Sequence, residues 1–519
     1  MRHLQRAGGR LRALGVGLLA ALATAALPAG ARAATVSATE GAGANQAPQA
    51  TLNLRAEPSE ANQLTITASG SGGSYVFTVR DDAEGSVAGD GCSGGGAPGS
   101  SVSCPLKVLP SLTALLGDGG SSLDAGLLPA LSSVTVNGGA GNDTITTPAS
   151  PDNVNGGAGD DVITTGGGDD RVEDGVGADQ VHTGDGTDAI VAPSAPDGPD
   201  LYDLGPGAMD LMSYQGRSEP VLYAADNEAN DGARGEGDRV LAAEAVVGGS
   251  GPDSLSGGAG GDYLFGAAGD DTIVGNGGND VLVGDLGAGG NVGGFKLDRL
   301  GLTQAALLAA SGNDSAYGGP GKDFVRGDAG GDRLYGTADD DVVVGGDAND
   351  LVNGGPGDNR VYGQSGDDKV VGREGDDLLN GAAGADSIFG GDGQDKLVGG
   401  SEDDRLYGNN GDDRVYGMAG NDIANGGRGD DRAYGNDGDD KMVGRWGHDL
   451  LNGGAGDDRA FGGPDPDKVL GRSGVNRLYG NEGPDALYGT DGGWNLLNGG
   501  PAFDRCRLDT EGRRARCEH

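Results

Sequence analysis

Aromatic residues are scarce in this chain, at 4% of 519 residues. An ordinary globular enzyme of that length would carry more bulky apolar and aromatic side chains for its cores, so that class is disfavoured. Basic charge is lacking too: 36 Lys and Arg stand against 79 Asp and Glu, a formal net charge of -43. Such a surface repels phosphate, and nucleic acid is excluded as a partner. Glycine is plentiful, at 110 residues, yet it does not recur at every third position, which excludes a collagen-like helix. Two classes remain. One is a disordered acidic chain; the other is a repeat architecture of small cores with something to neutralise the carboxylates.

Long apolar runs are absent except for Ala13 to Leu27, which follows Arg2, Arg6, Arg10 and Arg12 and precedes Ala31-Arg32-Ala33. This order reads as a secretory signal peptide over residues 1–33, cleaved after Ala33, so a secreted, extracellular protein is expected. The run is short for a membrane span, and no membrane insertion is expected. Cysteine is nearly absent as well. The four present fall as two local pairs, Cys92/Cys104 and Cys506/Cys517. Each is expected to close a small disulfide loop in an oxidising compartment. Four unpaired thiols are the alternative, and no C-x-x-C spacing marks a metal site.

What the sequence does have is a nine-residue clock. Asp recurs at 143, 152, 161, 170, 179 and 188, again at 253, 262, 271 and 280, and then from Asp314 to Asp485 with Asn359 and Asn476 as the two exceptions. Asn495 and Asp504 close the series after a one-residue slip. Five residues before this slot Gly is nearly invariant in the long run, and two residues before it Gly is usual. Two residues after it every unit has an apolar side chain or Cys, as at Ile163, Leu264, Val415 and Cys506. Each unit therefore reads G-x-x-G-x-D-x-U-x, with U apolar. A short x-U-x strand puts U on one face and its neighbours on the other. The six remaining residues turn the chain back, and the glycines are expected to supply positive φ and to let carbonyl oxygens approach one another.

This pattern resembles the hemolysin-type (RTX) calcium-binding repeat, G-G-x-G-x-D-x-U-x, from about Gly138 to Arg507. The resemblance implies an all-β fold, a parallel β-roll solenoid whose 18-residue coils hold two nonapeptides each, with many Ca2+ ions between successive turns of one edge. It implies that slot aspartates are the carboxylate ligands: Asp143, Asp161, Asp253, Asp262, Asp271, Asp280, Asp323, Asp332, Asp368, Asp377, Asp386, Asp395, Asp413, Asp422, Asp431, Asp440, Asp449, Asp458 and Asp485. Asp413 would share an ion with the loop of Asp431, and Asp422 with that of Asp440. Loops such as Gly408 to Gly411 would give carbonyls. Carboxylates stacked at strand spacing repel one another, and a thin core does little to resist them. The chain is therefore expected to be disordered without calcium and rod-like with it.

The expected organisation is a signal peptide (1–33), a small β-rich N-terminal cap region (34–137), a first repeat block (138–191), a spacer (192–246), a second block (247–284), an insertion with a short helix of Gln304 to Ala310 (285–311), a third block (312–507) and a C-terminal cap (508–519). The spacer carries Met212-Ser213-Tyr214-Gln215-Gly216-Arg217 and Gly235-Glu236-Gly237-Asp238. A 72-residue period is also visible: DLLNG, DSIFG, DKLVG and DRLYG after Arg373 return as DLLNG, DRAFG, DKVLG and NRLYG after Arg445. Such duplication lengthens a solenoid, whose units contact mainly their neighbours.

Catalytic signals are few. No H-E-x-x-H occurs, and His182 and His448 lie within repeats. Gly91-Cys92-Ser93-Gly94-Gly95 matches G-x-S-x-G by letter only. No catalytic residue is assigned, and no enzyme is expected. Lys396, Arg414 and Arg432, like Lys441, Arg459 and Arg477, are spaced by 18 and would form columns on an outer face. These are solvated gatekeepers against sheet association, or the wall of a groove for anionic glycan. The expected function is a secreted calcium-binding protein with a structural or extracellular-matrix role. A calcium-dependent adhesin or glycan-binding protein is the first alternative, and an RTX-type hydrolase with residues 34–137 as a small catalytic region is the second.

Overall fold

The computed structural model describes residues 34–41, 49–55, 62–70, 75–81, 86–88, 92–95, 101–106, 111–128, 131–207, 209–285, 291–292, 295–296, 312–490, 494–508 and 514–518. The signal segment, its cleavage site and the helix expected at Gln304 to Ala310 lie outside these residues. Everything described is strand, turn or bend, with no helix among the described residues.

The nine-residue clock becomes two strands per coil. Strand Arg414–Ala419 lies between Lys396–Ser401 and Arg432–Asp437, parallel to both, with Val415 opposite Leu397 on one side and Ala433 on the other. The register step is thus 18 residues. Within a strand Val415 is fully buried, while Arg414 is exposed and Tyr416 half-buried, as a two-residue side-chain period requires. The intervening nonapeptides build the opposite sheet, as Arg405–Asn410, Ile423–Arg428 and Lys441–Trp446 show. The U side chains of both sheets meet in one apolar ribbon that runs from Ala38 to Leu497. The architecture is a parallel β-roll.

One sheet passes through every section of the chain. It joins strands Gln49–Arg55, Ser111–Leu115 and Ser133–Ala140 to the repeats in parallel pairs. The stack therefore begins before the clock does. It is closed at the N-terminal end by antiparallel pairs, Ala34–Gly41 on Gln49–Arg55 and Gln63–Gly70 on Tyr75–Asp81. The facing side is made of two successive sheets that meet in the spacer. There Leu201–Asp203 continues the stack onto Arg239–Leu241, and Leu211–Ser213 continues it onto Ala245–Val247. Across the insertion after Asp285, Val281 pairs with Phe324 and Thr272 with Ser315, so the roll resumes in register. Cys92 and Cys104 stand 4.3 Å apart at Cα, and Cys506 and Cys517 stand 6.2 Å apart; both pairs are disulfide-bonded.

Candidate metal sites

The slot aspartates line the two edges where strands turn. All nineteen that the resemblance implies as ligands are buried, none more than 8% exposed. Along an edge they form a hydrogen-bonded column. The amide of Asp395 donates to Oδ1 of Asp413 at 2.8 Å, and the amide of Asp413 donates to Oδ1 of Asp431 at 2.8 Å. On the other edge the amide of Asp422 donates to Oδ1 of Asp440 at 2.9 Å. The partners expected from the 18-residue step are thus brought together, through one carboxylate oxygen. A second ladder runs the opposite way through the residue before the slot: the amide of Asp430 donates to Oδ1 of Asp412 at 2.8 Å, in the exposed turn. Doubled aspartates in this chain are accordingly turn structure.

The second oxygen of each slot carboxylate is the chemically informative one. Oδ2 is buried with no hydrogen-bond partner in seventeen of the nineteen, Asp253 and Asp262 being the exceptions. In those two it accepts from the amides of Gly249 and Gly258, the latter at 2.6 Å. What Oδ2 faces elsewhere is revealed where Asn replaces Asp. Nδ2 of Asn359 donates to the carbonyls of Gly355 and Gly357, both at 2.9 Å. Nδ2 of Asn476 donates to those of Arg472 and Ser473 at 3.4 Å. In an aspartate unit the same place holds an oxygen, so a carboxylate oxygen meets carbonyl oxygens with no donor between them. A buried acceptor without a donor is costly. Burial pushes these carboxyls upward, to about 6 for Asp143, about 7 for Asp413 and about 9 for Asp314. Around Asp314 the charges of Asp285, Asp271 and Asp332 add to that rise.

Such an all-oxygen set, carboxylate and carbonyl together, is the donor set of a hard divalent cation such as Ca2+. The residues fit the ion that the repeat pattern implies. The slot Asp and the carbonyls four and two residues before it would hold it, and a bound cation would supply the positive charge that the column lacks.

The two keyed glycines serve different ends. Gly411, two before the slot, has φ +125°, the left-handed conformation expected of it. Gly408, five before the slot, does not have positive φ; it is required by close approach. A Cβ there would press on Oδ2 of Asp413 and lie 2.6 Å from the carbonyl oxygen of Gly426 in the next coil. The first block shows the alternative on one of its edges. Thr147, Thr165 and Thr183 occupy this inward place and donate to the carbonyls of Thr165, Thr183 and Leu204 at 3.2, 3.0 and 2.9 Å. Hydroxyl donors there do part of what an ion would do.

Further slot residues escape the clock. Oδ1 of Asp200, Asp210 and Asp238 accepts from the amides of Asp179, Asp188 and Asp200, and Glu244 Oε2 accepts from that of Asp210. Their spacing is irregular, but the D/E-x-U triplet survives in Asp200-Leu201-Tyr202, Asp210-Leu211-Met212, Asp238-Arg239-Val240 and Glu244-Ala245-Val246. The two spacer motifs meet in the interior, where Arg217 forms a buried ion pair with Glu236 and lies 5.0 Å from the ring of Tyr214. The two described histidines serve as surface side chains of the stack: His182 Nδ1 is 3.2 Å from Asp203 Oδ2, and His448 Nδ1 is 3.1 Å from the carbonyl of Pro466.

The profile of the RTX calcium-binding nonapeptide repeat (4 copies) matches residues 135–190, 243–289 and 307–505, more than half of the chain. The chain belongs to this family. No curated protein matches it. It is thus an RTX calcium-binding repeat protein, and the matched segments are those in which carboxylates and carbonyls face one another along the edges. The gaps between them contain the irregular slots Asp200, Asp210 and Asp238 of the spacer and part of the insertion.

Proposed function

We propose that this protein is secreted and non-enzymatic, and that it binds many calcium ions along both edges of its roll, folding as they bind. Its role would be structural, as an element of an extracellular matrix. The observation that carries this reading is the contrast between Asn359 and its neighbours. A neutral slot closes its loop with two hydrogen bonds, whereas an aspartate slot leaves oxygens facing oxygens. Folding without a cation then costs desolvation and repulsion at nearly every coil. Extracellular calcium would relieve both. Calcium titration into the chelated mature protein, followed by circular dichroism and by bound-ion count, tests it. A cooperative rise in β signal together with ion uptake is expected; a β signal already complete in chelator at neutral pH would overturn the reading.

A second reading, a calcium-dependent adhesin for acidic glycan, is favoured by one surface feature. Tyr335, Asn353 and Arg373 line a cleft of about 230 Å3, and Tyr407, Asn425 and Arg445 line one of about 340 Å3 that Trp446 extends. The two sets are 72 residues apart, the super-repeat period, hence four strands or about 19 Å along one face. In each, arginine Nε donates to the asparagine oxygen, at 3.1 and 2.9 Å. Tyr434, Asn452 and Arg472 repeat the same spacing on the opposite sheet, with the corresponding bond at 3.1 Å. An aromatic face beside a guanidinium suits a sugar ring bearing a carboxylate. A glycan array run in saturating calcium separates this reading from a purely structural one.

A further inference from the structure

The unit of Asp179 breaks the repeat at one position. Five residues before its slot, where the neighbouring edge position is Gly156, stands Asp174. A side chain at such a place meets the slot carboxylate: a Cβ on Gly156 would lie 2.6 Å from Asp161 Oδ2. Asp174 is fully buried on the inner side of strand Arg171–Val176. The following coil is wider, with 21 residues from Asp179 to Asp200 in place of 18.

Three carboxylates converge there. Oxygens of Asp174, Asp179 and Asp200 lie within 4.8 Å of one another, and none of the three residues is more than 3% exposed. The Tyr202 hydroxyl lies 2.6 Å from Asp174 Oδ2 and 2.9 Å from Asp200 Oδ2. A hydroxyl has one proton, so it serves one of these acceptors at a time. Asp179 Oδ1 is occupied by the Asp161 amide at 2.6 Å. Asp174 Oδ1 and Asp179 Oδ2 are left buried with no partner. Arg217, the buried cation of the spacer, is committed to Glu236. The nearby charges that act on Asp174 are those of Asp200 and Asp179, both negative.

We propose that Asp174, Asp179 and Asp200, with the Tyr202 hydroxyl, form a dedicated calcium-type divalent cation site, chemically distinct from the repeat loops. A repeat loop offers one slot carboxylate and carbonyls; this cluster offers three carboxylates on one centre. Ligand charge count is a principal determinant of calcium affinity in oxygen sites, so this centre fills at lower free calcium than the loops. The threonine ladder satisfies carbonyls on the facing edge of the first block, and Tyr202 is itself a core side chain. A filled centre ties strand Arg171–Val176 to strand Leu201–Asp203, and so joins the first block to the spacer.

The test uses the full mature chain and two variants. Asp174→Gly restores the glycine of the regular repeat, and Asp174→Asn keeps the side-chain size. Bound calcium is counted by mass spectrometry after dialysis against buffered free calcium. The wild type is expected to keep one ion per chain at free calcium about a hundredfold below that which half-fills the remaining sites. Both variants are expected to lose that ion and to retain the others. A tyrosine absorbance change should accompany the first ion and be absent in both variants. Identical binding curves for all three chains would overturn the proposal. So would a wild type without a tight ion, its carboxylates held by protons only. Because the tight ion and the loop ions are counted separately, loss of one proposal does not decide the other.

Discussion

If metal is needed because slot oxygens face carbonyls, replacing those oxygens by amides should remove the need. The variant Asp413→Asn, Asp422→Asn, Asp431→Asn, Asp440→Asn treats two successive turns of each edge. Asn359 supplies the magnitude. Its Nδ2 makes two hydrogen bonds of 2.9 Å, and its Oδ1 still accepts from the Asp341 amide at 2.9 Å. Each new bond contributes about 1 kcal/mol, so four substitutions shift the metal-free equilibrium toward the roll by about 8 kcal/mol. That is of the order of a whole domain's stability. Removing four buried carboxylates acts in the same direction. The variant should therefore bind about four fewer ions and reach half of its β signal at lower free calcium than the wild type. Circular dichroism and ion counting on the same titration provide both numbers. An unchanged ion count with an unchanged midpoint would show that Oδ2 does not contact the metal, and the reasoning would fail.

Slot carboxyls such as Asp143, Asp413 and Asp314 have folded-state values raised to about 6, 7 and 9 above an ordinary 3.8, so they favour the fold below about pH 4 and withdraw that support as pH rises through this range. In chelator, β signal should thus be stronger at pH 4.5 than at pH 8, while calcium affinity runs the opposite way because protons compete for the same oxygens; a flat chelator profile would contradict this. Gly408→Ala should raise the calcium midpoint and cost about 1–3 kcal/mol, since its Cβ meets both the Asp413 carboxylate and the next coil's backbone; thermal melts in saturating calcium measure it. Arg445→Ala should reduce binding of any acidic glycan identified on the array and leave the ion count unaltered, because Arg445 lies on the outer face away from the slots.

Much of the fold is legible in the letters because the clock is physical. A period of nine with U two after the slot dictates two short strands per 18 residues, and the U side chains from Ile145 to Leu497 sit in the ribbon. The slot column is legible as a spacing but not as a bonding pattern. Nothing in the letters says that Oδ1 is spent on the amide one coil away and only Oδ2 is free. The spacer slots are hidden for another reason. Turns there vary in length, so Asp200, Asp210, Asp238 and Glu244 keep the column while losing the count. For Gly408 the letter does not say which demand it meets, because positive φ and close approach require the same residue.

The column also changes character along the chain, which implies a direction of folding. At the N-terminal end it terminates in neutral donors: the Ser121 amide donates to Asp143 Oδ1 at 2.6 Å, and the Asn62 amide donates to Ser121 Oγ at 3.1 Å. The threonine ladder follows on one edge, and the core there includes Phe77, Leu52, Leu64, Tyr202 and Tyr214. From Asp314 onward each coil has two U side chains, several of them only alanine, as at Ala424 and Ala433, against two orphaned carboxylate oxygens in most coils and one where Asn359, Asn476 or Asn495 holds a slot. The first block also has two orphaned slot oxygens per coil, from Asp143 to Asp188, so apolar burial per coil falls toward the C-terminal end while that charge persists. Lowering calcium should therefore melt residues 312–508 first and leave residues 34–246 protected. Hydrogen exchange across a calcium series reads this directly, since amides of Arg414–Ala419 should exchange at calcium levels that still protect those of Asn153 and Val172. Simultaneous loss at both ends would mean that the roll is one cooperative unit, and that neutral ladders and larger side chains give the N-terminal half no independence from the ions.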